Sequence, residues 1–478
     1  MTKLIDAMRT GDTYTENGMV TNSSSLNGCL DLFFIMGAVR NQMKTEDGKQ
    51  RLIGKFEHAH AEDALLTRKM MFWGRDVRGG AGEREAFRTL LKYASTNYPS
   101  EVIDNIHLIA EYGRWDDVFV TFGTPVEDAA IAMIVKNLQE GNGLLAKWMP
   151  RTGGKVGADK KAIANKVRVA MRMTPKDFRK MLVEQTQVVE QKMCAKEFAN
   201  INYQHVPSVA MSRYTKAFAK NDPSGFETYK ASLVKGEAKV NAGAVFPYDI
   251  LKTIQRGDQT LASEQWKSLP NFMEGSKERV LPVCDVSGSM STAVSGMTTA
   301  MDVCISLGLY ISERNVGPFQ DAFVTFSSRP QLQYLKGDLK ARYQQLQRAD
   351  WGMSTDLEAT FRMVLDQATK HNVPANEMPT CILIMSDMEF NSAIDGRSSA
   401  IQMIANKYKE SGYELPKVVF WNLCSRHNNF PVQSKDENTA LISGFSPSIL
   451  KAVLSGDSMN PVSIMLKALN TERYEAIQ

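Results

Sequence analysis

The sequence predicts a multidomain α plus α/β protein, an N-terminal α-helical solenoid followed by a doubly wound α/β domain. Three observations carry that prediction. From Leu26 to about residue 265, apolar residues recur at helical spacing between short turn signals, without strand patterns. Beyond residue 280, short apolar runs alternate with helical stretches, the pattern of a mainly parallel sheet with both faces covered. The first such run, Val280-Leu281-Pro282-Val283-Cys284, ends in Asp285-Val286-Ser287-Gly288-Ser289. That places an acid and two hydroxyls at a strand-to-helix turn, where open α/β sheets bind ligands.

At 478 residues the chain exceeds one ordinary core, so two or three domains are expected. Its 43% hydrophobic and 23% charged content is that of a soluble globular protein. No run of about 18 apolar residues predicts a membrane span. The start, Met1-Thr2-Lys3-Leu4-Ile5-Asp6, lacks the apolar core of a signal peptide. Six cysteines lie scattered with no Cys-x-x-Cys pair, and Cys284 and Cys381 fall in predicted buried strands. A reducing cytoplasm is the expected setting.

In chain order, residues 1–25 are polar and predict a flexible arm. The helical region, 26–265, opens with Leu30, Phe33, Phe34 and Gly37 at helical spacing. It continues through amphipathic stretches at 59–73, 83–94, 102–112 and 126–138. Modest helices joined by short turns suggest a solenoid of paired helices with degenerate repeats; an irregular helical domain is the alternative. Residues 266–279, with Pro270 and Gly275, read as a linker, and 280–478 as the α/β domain. There, strands are predicted at 323–326, 381–385 and 418–423, with 332–335 pairing as a hairpin. Helices are predicted at 339–346, 355–365, 400–408, 446–454 and 462–469. Trp421 and Phe430 read as core or loop anchors.

Segment 147–192 carries twelve Lys or Arg against four Asp or Glu. Its basic residues include Lys147, Arg151, Lys155, Lys160, Lys161, Lys166, Arg168 and Arg172, and Lys161, Arg168 and Arg172 have helix-compatible spacing for one face. Such a cluster neutralises phosphates by releasing counterions, so candidate RNA binding falls here. A solvated basic helix face is the competing reading.

Asp285, Ser287 and Ser289 offer hard oxygens at alternate positions, a set that suits Mg²⁺ or Mn²⁺ and suits Zn²⁺ poorly. Gly352-Met353-Ser354-Thr355-Asp356 opens a further helix with the Thr355 hydroxyl, and the apolar run 381–385 ends in Ser386-Asp387. Simple helix capping is the plain alternative for Asp285 and its serines. No phosphate loop, His-Glu-x-x-His or Gly-x-Ser-x-Gly occurs. A catalytic ion would need a general base or a second metal nearby, and Glu389 is the only obvious candidate close to Asp387 in sequence; no enzyme is expected.

An Asp-x-Ser-x-Ser after a strand, a Gly-x-Ser-Thr-Asp, and an apolar strand ending in Asp together resemble the metal-ion-dependent adhesion site of von Willebrand factor A (vWA) domains. The resemblance implies Asp285, Ser287, Ser289, Thr355 and Asp387 as ligands, with one coordination position left for an acidic group of a partner protein. The helical half also has a resemblance. It is carried by Arg75-Asp76-Val77-Arg78-Gly79-Gly80-Ala81-Gly82-Glu83-Arg84, Tyr112-Gly113-Arg114-Trp115-Asp116-Asp117, Leu145-Ala146-Lys147-Trp148-Met149-Pro150-Arg151 and His205-Val206-Pro207-Ser208-Val209-Ala210-Met211. Residues 231–250, with Gly236, Lys239, Val240, Asn241, Gly243 and Pro247, extend it. These stretches look like the TROVE module of Ro autoantigen, telomerase-associated and vault proteins, and the whole is similar to an uncharacterised Ro-like set of viruses and cells. The resemblance implies a HEAT-like helical ring closed by a Rossmann-like vWA domain. It also implies a scaffold for small noncoding RNA or single-stranded RNA 3′ ends. A metal-dependent protein-interaction module, with no physiological RNA ligand, is the rival class.

Overall fold

The computed structural model describes residues 12–186, 188–242, 244–255, 257–326, 329–349, 355–391, 400–427, 429–454 and 459–478. An α-helical region precedes a mixed six-stranded sheet, an α plus α/β architecture. The expected residues Gly243 and Gly352-Met353-Ser354 lie outside the described residues.

The chain begins with a hairpin of β1 (Asp12–Tyr14) and β2 (Val20–Asn22), which pair antiparallel. The expectation of a flexible arm is therefore corrected from residue 12 onward. Thr15 and Met19 are buried, and Thr15 Oγ1 donates to the Phe390 carbonyl at 2.6 Å. Gly18 bridges Asn391, and Asn22 bridges Phe430. The arm's small polar side chains and free backbone groups are satisfied by a distant segment, which composition does not reveal.

Helices follow in the expected order, with boundaries set by local chemistry. The predicted 59–73 stretch divides into Glu46–Glu62 and Ala64–Arg75, because Asp63 turns extended and accepts from Leu66 N at 2.8 Å. The predicted 102–112 helix breaks into Pro99–Asp104, a 3₁₀ turn at Ile106–Leu108, and Ile109–Tyr112. Asn105 sits at the break; its amide donates to the Glu101 and Gln478 carbonyls, so a C-terminal residue caps this turn. The 126–138 expectation corresponds to Glu127–Gln139.

The six-stranded sheet begins with β3 (Val280–Cys284), which is followed by a separate small hairpin of β4 (Ala293–Ser295) and β5 (Thr298–Thr299). Next come β6 (Ala322–Thr325), β7 (Leu332–Tyr334), β8 (Cys381–Ser386), β9 (Lys417–Asn422) and β10 (Thr439–Ser443). The order is β10-β9-β8-β3-β6-β7, all parallel except the β6–β7 hairpin at one edge. The edge strand β10 was not expected from sequence. Its run, Thr-Ala-Leu-Ile-Ser, is wholly buried against β9. Cys284, Cys381, Trp421 and Phe430 are buried, and Trp421 Nε1 donates to the Gly444 carbonyl at 2.7 Å.

The two halves share one apolar core, running from Met19 to Ile477. Helix Gly28–Met36 packs on β10, while Pro247–Gln255, near the far end of the helical run, packs on Ala300–Arg314 beside β3. Contact at Gly37 is close: a Cβ there would lie 2.5 Å from the Gly444 backbone nitrogen. The expected linker 266–279 is not a free tether. Trp266, Leu269 and Met273 are buried, and Tyr310 Oη donates to the Pro270 carbonyl and accepts from Phe272 N. Its apolar residues decide this, more than its Pro and Gly.

The C-terminal tail returns to the helical half. Arg473 and Tyr474 both donate to the fully buried Asp76, which also accepts from the backbone N–H of Arg78 and Gly79. Asp76, Arg75, Asp117 and Glu83 of the quoted helical motifs are thus structural locks. Arg75 Nε donates to buried Asp117 at 2.8 Å, and Arg40 pairs with buried Glu83 at 2.6 Å. Such buried pairs hold geometry, since stripping one partner strands the other charge.

Candidate metal centre and basic surface

β3 has β6 on one side and β8 on the other, so the chain leaves it in both directions, and the crevice lies beyond the carboxyl ends of β3 and β8. Asp285 N continues the ladder to the Met385 carbonyl at 3.0 Å. Asp285 is fully buried; one carboxylate oxygen accepts from Ser287 N at 2.9 Å and the other from Ser386 Oγ at 2.6 Å. The Ser287 and Ser289 hydroxyls are 2.9 Å apart. Asp387, 2% exposed, accepts from Glu389 N at 3.3 Å with Oδ1, while its buried Oδ2 has no hydrogen-bond partner.

Two buried carboxylates in one crevice repel. Burial, and then Asp285 beside it, push the Asp387 carboxyl up to about 7, against the pull of the Ser289 hydroxyl, Glu389 N–H and Arg426. Burial raises Asp285 as well. An orphaned carboxylate oxygen, two hydroxyls and a second carboxylate fit a hard divalent cation, which would supply the missing positive charge. Simple helix capping accounts for the Ser287 N–H on Asp285 but not for the orphaned oxygen, which lies at the end of a different strand.

The structure brings Asp285, Ser287, Ser289 and Asp387 together. Thr355 is buried beside the segment that trails Asp387, where its hydroxyl donates to the Glu389 carbonyl at 2.8 Å and to Asn391 Oδ1 at 3.2 Å. Its hydroxyl proton is thus spent on that segment, while the oxygen keeps its lone pairs. Glu389 is also buried, and its carboxylate accepts from Glu16 N, Asn429 Nδ2 and His427 Nδ1 at 2.7, 2.9 and 3.1 Å. A carboxylate so saturated is poorly placed to act as the general base.

Residues that sequence reasoning missed frame the rim. Arg426 donates to the Ser289 carbonyl at 3.1 Å, to Thr292 Oγ1 at 2.9 Å and to Glu16 Oε2 at 3.3 Å, with its Nε 3.8 Å from the orphaned Asp387 oxygen. Glu16, Glu389 and His427 bring one potential ligand atom each to within 4.8 Å of one another. Glu16 comes from the hairpin, Arg426 and His427 from the loop after β9, so no spacing in the chain links them.

The basic segment divides into committed and free residues. Lys147 pairs with Glu190 at 3.3 Å, Lys166 pairs with Glu127, and Arg151 donates to the Ala146 and Met149 carbonyls. Helix Ala158–Ala170 ends before Arg172, which takes a left-handed φ of 55°, and Arg168 folds back to the Met173 carbonyl at 2.7 Å. The expected shared face of Lys161, Arg168 and Arg172 is therefore corrected: one caps the helix and one has left it. Lys155, Lys160 and Arg172 are exposed and Lys161 half-exposed, none paired with a carboxylate among the described residues.

Fold and site together define an α plus α/β protein with two buried carboxylates and neighbouring hydroxyls at a sheet switch point. The chain belongs to the family described as Domain of unknown function (DUF2828), whose profile matches residues 15–123 and 129–279. Residues 279–475 match a second profile, Domain of unknown function (DUF7788). The two matches meet one residue before β3. The chain is also 28% identical over 509 residues to "Uncharacterized protein L728" of Acanthamoeba polyphaga mimivirus, covering 95% of this chain and 87% of that protein. Among the described residues, no helix is long and apolar enough to cross a membrane.

Proposed function

We propose that this protein is a Ro-like RNA-binding scaffold whose C-terminal half is a vWA-type recognition domain. In this reading Asp285, Ser287, Ser289 and Asp387, with Thr355 from the neighbouring loop, hold Mg²⁺ or Mn²⁺. The ion takes an acidic group from a partner protein, and the protein binds rather than catalyses. The carrying observation is the buried Asp387 Oδ2, which accepts no hydrogen bond and has Arg426 Nε no nearer than 3.8 Å, beside a second buried carboxylate at the sheet switch point. Packing of both ends of the helical run on the α/β half supports a HEAT-like ring of the TROVE kind. RNA phosphates would meet Lys155, Lys160, Lys161 and Arg172, the four of the eight candidate residues not already spent on internal contacts.

Calorimetric titration of the full chain with Mn²⁺ tests the ion, and fluorescence anisotropy with single-stranded and structured RNA at low salt tests the scaffold. One bound Mn²⁺ lost in Asp285→Ala, and RNA affinity lost when Lys155, Lys160, Lys161 and Arg172 become Glu, are the expected results. RNA affinity unchanged by that reversal overturns the RNA assignment. The commitment of Lys147, Arg151, Lys166 and Arg168 to internal contacts favours the second reading, a metal-dependent protein-interaction module with an incidental basic face. That reading predicts Mn²⁺ binding without RNA binding.

A further inference from the structure

We infer that Arg426 is a resident counter-cation of the carboxylate crevice, and that Glu16 of the N-terminal hairpin holds it off the ion's place. The inference rests on the metal reading above and concerns how that site is regulated. The Arg426 guanidinium reaches three elements at once: the Ser289 carbonyl and Thr292 hydroxyl after β3, Glu16 of the hairpin, and Asp387 after β8. It approaches the orphaned Asp387 oxygen to 3.8 Å without forming a hydrogen bond to it. A guanidinium that close shares the attraction of the same carboxylate with any divalent ion, and repels the ion itself. Its side chain is about one-third exposed (32%), so it has room to swing outward when an ion seats.

Glu16 decides which way it leans. Its carboxylate accepts from Arg426 Nη1, while its backbone N–H is fixed at 2.7 Å to the buried Glu389. The neighbouring Asn17 side chain donates to the Glu389 carbonyl at 2.7 Å, and Thr15 to the Phe390 carbonyl. The hairpin is thus stapled to the segment carrying Asp387, with Glu16 as an anchored acceptor at the rim. Removing its charge frees Arg426 to close on Asp387; removing Arg426 leaves the crevice to the ion.

The test is Mn²⁺ affinity by calorimetry on the full chain at pH 7.5 and low salt. The variants are Arg426→Gln, Arg426→Lys, Glu16→Gln and the Glu16→Gln/Arg426→Gln double. Loss of one unit charge beside a divalent ion is expected to tighten Mn²⁺ binding of R426Q about ten-fold. R426K should stay near the parent, and E16Q should bind several-fold more weakly. The double variant should match R426Q, because Glu16 acts through Arg426. If R426Q binds no tighter than the parent, or if E16Q weakens binding equally with and without Arg426, the inference is overturned while the metal site stands. Absence of Mn²⁺ binding in both parent and R426Q overturns the metal reading, and this inference with it. Thermal melts of the metal-free variants separate these effects from misfolding.

Discussion

Asp387→Asn separates the charge of the crevice from its shape. The amide keeps an oxygen for the Glu389 N–H, which Asp387 accepts through Oδ1, and removes the ionised oxygen that has no partner. The carboxyl sits at about 7 in the fold against about 3.9 unfolded. The sign follows from that order. Below pH 4 both states are protonated and nothing is lost; as pH rises from 4 to 7 the unfolded chain ionises first, so metal-free stability falls and then levels off. The loss is at most about 4 kcal/mol per site, and relief of Asp285 adds in the same direction. In EDTA at pH 8, denaturant melts of D387N should therefore show a gain of about 1–3 kcal/mol over the parent, shrinking toward pH 4. With Mn²⁺ at a thousand times its dissociation constant the order reverses, since only the parent gains about 4.1 kcal/mol from the ion. A D387N protein that is less stable than the parent at pH 8 without metal, or that keeps the parent's pH slope, would refute the electrostatic account of this crevice.

Other expected outcomes follow from the same structure. Ser287→Ala should weaken Mn²⁺ binding about ten-fold in calorimetry, because it removes one hydroxyl from the set around the two carboxylates. If about four phosphates meet the free basic residues, single-stranded RNA affinity should fall with salt at a log–log slope near −3, and the four-residue reversal should flatten it. Asp76→Ala strands Arg473, the Tyr474 hydroxyl and two backbone donors, so a loss of about 3–5 kcal/mol is expected in urea melts. Gly37→Ala drives a methyl into the Gly444 backbone and should cost about 1–3 kcal/mol in the same assay.

What the sequence reveals depends on how far apart the cooperating residues lie. Asp285, Ser287 and Ser289 are legible because five consecutive residues follow an apolar strand, and Asp387 because its own strand is equally apolar. Arg426, Glu16 and His427 are not legible, since they reach the crevice from loops some 400 residues apart. Helix texture marks the helical half, yet only local side-chain bonds, from Asp63 and Asn105, set where its helices break. Charge counting located the basic segment but could not separate Lys160, which is exposed, from Lys166, which is paired with Glu127 on a neighbouring helix. The hairpin is not legible, because polar composition says nothing about a backbone partner supplied by residues 389–391.

The packing of Gly28–Met36 on β10 has a consequence for how the molecule is made. The apolar face of this helix is completed only once Thr439–Ser443 is synthesised; Gly37 N–H and the Ser443 hydroxyl, bonded where the two meet, lie 406 residues apart. The tail at Arg473 and Tyr474 then locks onto Asp76 across a similar span. Such long loop closures slow assembly and leave sticky surface waiting. A nascent chain stalled before residue 439 should accordingly be held by chaperones rather than fold its amino-terminal helices alone.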